Sequence, residues 1–145
     1  MIKILFVCHG NICRSPMAEF VLKKKMPQWE VASAATSREE LGNDIHCGTR
    51  RILQAYNIPF SPRAARQITL RDYETYDLLI GMDRQNLINM KRFFGEDPQN
   101  KLCLLLDFTD RPRDIFDPWY SGDFEATYRD IEEGCNALIK EMTDA

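Results

Sequence analysis

The chain opens on an unbroken apolar run, Ile4-Leu5-Phe6-Val7. A short run with no polar alternation predicts a strand covered on both faces, here read over Lys3 to Val7. The pattern then lengthens its period. Met17 to Met26 predicts a helix closed by Pro27, and Trp29 to Ala35 a second strand. From Asp44 to Tyr56, the residues Ile45, Thr49, Ile52, Leu53 and Tyr56 fall at helical spacing, with Pro59 just beyond. Leu78 to Ile80 reads as a third strand, Arg84 to Phe94 as a helix, and Leu102 to Leu106 as a fourth strand. A last helix repeats apolar residues at Phe124, Tyr128, Ile131, Cys135, Leu138 and Met142, one stripe facing the core rather than a partner.

Strand and helix alternate, which predicts an α/β fold. The expected architecture is a doubly wound, four-stranded parallel sheet flanked by helices, Rossmann-like, in a single domain over residues 1–145. No repeat, low-complexity tract or linker divides the chain. Ligands of such sheets bind beyond the carboxyl ends of the strands. Asp107 to Tyr120, with Pro112 and Pro118, separates the fourth strand from the last helix and is expected to be a loop without structure of its own. Connections of that length without structure of their own are usually functional or disordered.

Composition and charge change this picture little. The chain has 145 residues, is 44% hydrophobic and 28% charged, and carries a net charge of -3, which suits one globular domain. Lys23-Lys24-Lys25 reads as a solvated helix end, so nucleic acid is not an expected partner. The first apolar run is too short for a leader, and none reaches membrane-spanning length. No membrane partner is expected, and a cytoplasmic location is. Five cysteines, Cys8, Cys13, Cys47, Cys103 and Cys135, are odd in number and lack framework spacing, which fits a reducing compartment. Cys47, Cys103 and Cys135 read as packing residues. With only two histidines, His9 and His46, no metal site is expected.

The chemistry concentrates in Cys8-His9-Gly10-Asn11-Ile12-Cys13-Arg14-Ser15, directly after the first strand. A loop leaving a strand and entering a helix turns its amides and the helix dipole toward one anion. Gly10 admits the turn, and Asn11 tolerates left-handed dihedrals. Arg14 offers bidentate hydrogen bonds to phosphate oxygens. Cys8 is placed at the floor, where amides, dipole and Arg14 all favour its thiolate. Ser15 is expected to cap the helix with Pro16 in its first turn, and its hydroxyl to donate to the Cys8 sulfur. His9 is expected to point away from the anion. Displacing an ester oxygen by a thiolate requires a general acid. Asp117 is the candidate, because Pro118 stiffens the backbone beside it, and Trp119 and Tyr120 follow as walls of a slot for a flat leaving group.

These residues resemble the low-molecular-weight protein tyrosine phosphatases. The resemblance rests on Val7 to Glu19, on Ser33-Ala34-Ala35, on Ala65-Arg66-Gln67, on Asp77 to Asp83, and on Asp117-Pro118-Trp119-Tyr120. It implies that Cys8 is the nucleophile, Arg14 the phosphate ligand and Asp117 the acid, in a metal-independent hydrolysis of phosphotyrosine through a phosphocysteine. It also implies that Asn11 and Ser15 order the loop, and that Cys13 forms a reversible disulfide with Cys8. The implied partner is a tyrosine-phosphorylated protein, no cofactor is required, and a monomer or weak dimer is expected. Three departures stand out. Trp119 replaces a usual tyrosine, Arg63 stands where many relatives carry a histidine of the loop network, and Arg38 to Asn43 lacks their common tryptophan.

Rival readings share the fold. A thioredoxin-coupled arsenate reductase needs further cysteines after the third strand, and Gly81 to Met90 has none. A protein-arginine phosphatase carries threonine where this chain has Ile12. A non-catalytic phosphate-binding or redox-switch module has no need of Asp117.

Overall fold

The apolar run becomes β1 (Lys3–Cys8), the centre of the molecule. Its side chains alternate between two cores. Ile4, Phe6 and Cys8 enter the larger, which contains Met17, Leu22, Leu105, Ile131 and Leu138, while Leu5 and Val7 enter the smaller with Leu79, Met90 and Leu102. That two-sided burial is why no polar alternation appears in the sequence.

The computed structural model describes residues 1–144. After β1 come α1 (Arg14–Lys25), β2 (Glu30–Ala35), α2 (Cys47–Ala55), α3 (Leu70–Thr75), β3 (Leu78–Gly81), α4 (Arg84–Phe94) and β4 (Leu102–Leu104). A 3-10 turn (Leu105–Phe108), α5 (Pro118–Ser121) and α6 (Phe124–Thr143) complete the chain. All pairings are parallel, in the order β2-β1-β3-β4. The α/β doubly wound expectation is met. The chain runs from β1 to β2 on one side and then to β3 on the other, so Cys8 ends a strand at the switch point where such sheets bind ligands.

Several expectations need correction. Helix α1 begins at Arg14 rather than Met17, and Cys13, not Ser15, is its N-cap residue. Ser15 is fully buried and turns its hydroxyl to Cys8 instead. Helix α2 starts three residues later than expected, because His46 caps it through its ring nitrogen (Gly48 N to Nδ1, 3.0 Å). The Asp107 to Tyr120 connection is not structureless, since the 3-10 turn opens it and α5 closes it. Helix α3 was not expected: six residues are too few for an apolar stripe to show. Cys47 is exposed and packs in no core.

Two glycines mark tight contacts. A Cβ on Gly134 of α6 would come within 2.5 Å of the Leu105 side chain, so the helix lies directly on the 3-10 turn. A Cβ on Gly48 would come within 2.4 Å of the Phe124 ring.

Candidate active site

The loop between β1 and α1 is shaped by the pull on its carbonyls. The carbonyl of Cys8 accepts from Thr36 N (2.9 Å), that of His9 from Ser37 N (3.1 Å), and that of Ile12 from His46 N (2.9 Å). The Cys13 carbonyl accepts from the Thr49 hydroxyl at 3.1 Å. In a trans peptide the N–H points opposite to its carbonyl. Drawing these oxygens outward therefore turns the N–H groups of His9, Gly10, Cys13 and Arg14 inward, where an anion collects them. Asn11 takes the one left-handed conformation in the loop (φ 59°). Gly10 leaves room for Glu40, whose stem lies 3.3 Å from where a Cβ would be and would have to shift slightly for a larger residue.

Asn11 is fully buried and uses its whole amide. Its Nδ2 donates to Ser15 Oγ (2.8 Å) and to Ser33 Oγ (2.9 Å). Its Oδ1 accepts from the Arg63 guanidinium and from Arg66 N (3.3 Å). Ser33 donates onward to Glu19 at 2.6 Å. Because Ser15 Oγ already accepts from Asn11, its own hydrogen is free for Cys8 Sγ, 3.0 Å away. Asn11 N also donates to that sulfur, at 3.3 Å. The Cys8 sulfur thus receives two donors at the loop floor.

Arg14 is 2% exposed and is fixed before any ligand arrives. Its Nη1 donates to Asp83 Oδ2 (2.7 Å) and to the Ile115 carbonyl (2.8 Å), and its Nη2 lies 3.5 Å from Asp117 Oδ2. Burial works against its charge, but Cys8 and Asp83, then Asp117, outweigh that and hold the guanidinium above its ordinary range. Burial also lowers Arg63, opposed by Glu19, Asp44 and Cys8.

Asp83 was not foreseen as a site residue. Its Oδ1 caps α4 by accepting Asn86 N (2.8 Å), while Asn86 Oδ1 takes Met82 N and Asp83 N in return. The signal was an Asp-x-x-Asn capping pattern at the carboxyl end of β3. Arg63 was foreseen only as a departure; in the structure it takes up the Asn11 contact itself.

The Asp117 segment folds back over this edge. Ile115, fully buried, anchors it through Ile115 N to Met82 O (2.9 Å), and Arg84 N donates to Asp114 Oδ1 (3.0 Å). Asp117 Oδ1 accepts from Trp119 N (3.0 Å) and so caps α5, with Pro118 at its first position. Cys8, Cys13, Arg14, Asp117, Trp119 and Tyr120 line one pocket with His9, Gly10 and Ile12. Asn11 and Ser15 lie behind it. His9 bonds Glu39 across the rim (2.9 Å). Cys13 is a free, buried thiol, pushed up to about 12 by burial and then by Cys8 and Asp117. Among the described residues, no group of three or more His, Cys, Asp or Glu is gathered as a metal site.

A thiol at the floor of a loop of inward amides, a tethered arginine and an aspartate lining the same pocket make a site for displacement at a tetrahedral oxyanion. Comparison with known proteins agrees. The family model for Low molecular weight phosphotyrosine protein phosphatase matches residues 3–145. The protein-tyrosine-phosphatase PtpA of Staphylococcus epidermidis is 36% identical over 145 residues, covering 96% of this chain and 92% of the relative. The crystal structure of SP-PTP, a low molecular weight protein tyrosine phosphatase from Streptococcus pyogenes, superposes with a TM-score of 0.91 at 40% identity, covering 99% and 95% of the two chains. DARP, a Drosophila arginine phosphatase, superposes with the same TM-score of 0.91 at 28% identity, covering 99% of each. With its fold and residues 3–145 both matched, the chain belongs to the low molecular weight phosphotyrosine protein phosphatase family of hydrolases.

Proposed function

We propose that this chain, as one catalytic domain, hydrolyses phosphotyrosine on proteins in two steps without metal. The observation that carries the reading is the convergence of Cys8, the tethered Arg14 and Asp117 on one pocket. The Cys8 thiolate attacks phosphorus in line, a P–S bond forms as the P–O bond breaks, and Asp117 protonates the departing oxygen. Asp117 then takes a proton from a water that attacks the phosphocysteine, releasing phosphate and the thiolate. Arg14 and the inward amides hold the equatorial oxygens where charge gathers. Trp119 and Tyr120 flank the leaving ring. A cytoplasmic location is part of the same proposal, supported by a mechanism that needs the Cys8 thiol reduced.

The test is hydrolysis of p-nitrophenyl phosphate and a phosphotyrosine peptide in chelator, comparing wild type with Cys8→Ser and Asp117→Ala. Turnover that dies with the first and slows severely with the second supports the reading; an inactive reduced wild type overturns it. Ile12, buried in the pocket wall, has no hydroxyl with which to read a guanidinium phosphate, so phosphoarginine is the slower substrate. Faster release of phosphate from phosphoarginine reverses that assignment.

Cys13 is proposed as the redox partner. Peroxide converts the Cys8 thiolate to a sulfenic acid, which condenses with the Cys13 thiol to a disulfide and water. Peptide mass spectrometry after peroxide treatment detects the link; a sulfinic acid on Cys8 in its place removes Cys13 from this role.

A further inference from the structure

Behind the slot, His46 makes contacts that no step of the reaction uses. It precedes α2 and is half-buried. Its backbone N–H donates to the Ile12 carbonyl of the nucleophile loop (2.9 Å). Its Nδ1 accepts from Gly48 N and caps α2 (3.0 Å). Its ring stacks on Phe124, with centroids 5.1 Å apart and planes 15° apart. The same ring meets Trp119 edge-on, at 5.5 Å and 74°. Phe124 in turn lies so close over Gly48 that no Cβ fits between them. One residue therefore touches four parts of the site: its backbone meets the nucleophile loop, and its ring meets the start of α2, the start of α6 and the slot wall.

Trp119 is otherwise weakly held. It is 56% exposed, and its backbone N–H is what Asp117 Oδ1 accepts. Whatever steadies the indole also steadies the carboxylate two residues before it. Edge-to-face aromatic pairs contribute beyond the area they bury, and the stacked Phe124 stops the imidazole from retreating.

We propose that His46 is a positioning residue for the acid. Its ring is the backstop that holds Trp119, and through Trp119 the side chain of Asp117, over the pocket. The inference rests on the phosphatase reading, and it separates two jobs of one side chain. The ring positions Trp119, and Nδ1 caps the helix.

Two substitutions split those jobs. Asparagine caps helices well but has no ring; phenylalanine restores a ring but accepts no hydrogen bond. His46→Asn is expected to melt close to wild type. Its kcat/KM on a phosphotyrosine peptide, which reports the step that expels the leaving group, falls about 10-fold, while kcat/KM on p-nitrophenyl phosphate, whose leaving group needs little protonation, falls less than about 3-fold. His46→Phe is expected to recover most of the peptide kcat/KM and to lower Tm by about 3–6 °C.

Tryptophan emission supplies a readout independent of turnover. The chain has two tryptophans, and Trp29 is buried in the core. The Trp119 signal, identified by difference against Trp119→Phe, shifts to the red and becomes more accessible to acrylamide in His46→Asn but not in His46→Phe. Unchanged emission in His46→Asn overturns the proposal whether or not the protein is active. Equal loss of both substrates, or failure of His46→Phe to rescue, also overturns it, because the effect is then on the cap or the fold. An inactive wild type with the emission shift intact removes the phosphatase reading and leaves the ring contact standing.

Discussion

The nucleophile loop and the acid segment face each other across one pocket and are built in opposite ways. In the loop, Asn11 and Ser15 are fully buried and Arg14 almost so, and each is tied to several partners. In the acid segment, Phe116 is 80% exposed, Trp119 56% and Tyr120 85%. It is held at its base, by the Ile115 backbone between Met82 and Arg14, by the Arg84–Asp114 bond, by the Thr127 hydroxyl on the Phe116 carbonyl, and by Asp117 capping α5 beside Arg14, while its aromatic rings stand outside the core. The difference follows from the tasks. Phosphate is the same in every substrate, and a fixed set of donors stabilises its transition state without reorganising. The group beyond the phosphate varies, so the surface that meets it sits outside the core, where substitution is cheap.

That contrast gives graded expectations. The largest effect is Cys8→Ser, which is expected to abolish turnover while still binding phosphate, since the loop amides and Arg14 are untouched; a binding assay by calorimetry checks both halves. Next is Asp117→Asn, expected to lower kcat about 10²–10⁴-fold with Tm unchanged. A Tm drop of several degrees there would show the acid segment to be structural as well, and would break the contrast. Asn11→Ala is expected to do both kinds of damage. It strands the partners of a buried amide and puts a Cβ without side-chain compensation at φ 59°, so it costs about 2–4 kcal/mol of stability along with activity. Denaturant melts of Asn11→Ala beside Asn11→Gly separate the backbone share from the amide share.

Tyr120→Ala sharpens the other side. With its ring 85% exposed, it is expected to raise KM for phosphotyrosine peptides about 3-fold and leave Tm and the p-nitrophenyl phosphate kcat as they are. The smallest effect concerns pH. Burial raises the thiols of Cys13, to about 12, and of Cys135. A folded-state value above the unfolded one means the native protein holds the proton longer. The associated stability is complete below about pH 9 and is lost as pH rises toward about 12. Melts between those limits should show the loss, and Cys135→Ala should make it shallower.

Much of the site was legible because it is local. Cys8 to Ser15 is contiguous, its glycine and asparagine have reasons within the loop, and the preceding strand declares itself by four apolar residues in a row. The Asp117-Pro118 pair was legible as an acid on a stiffened turn, but not as the cap of α5. What was misread was also local but short. Ser15 looked like a cap because serine before proline usually is one, yet the Cys8 sulfur and the Asn11 amide compete for its hydroxyl. Helices α3 and α5, of six and four residues, are shorter than the window in which periodicity is visible.

By itself, the order of residues determined the alternation of strands and helices, the buried central strand, and an anion loop with a nucleophile in it. Those follow from short-range sterics and from hydrophobic period. Only the tertiary structure decided that Arg14 is held by Asp83, 69 residues away, and by Ile115, 101 residues away. The same holds for Arg63 reaching Asn11 and for His46 standing behind Trp119. Such contacts depend on which strand ends and helix starts meet at one edge of the sheet. That juxtaposition is set by the packing of two cores on either side of β1, and no local pattern encodes it.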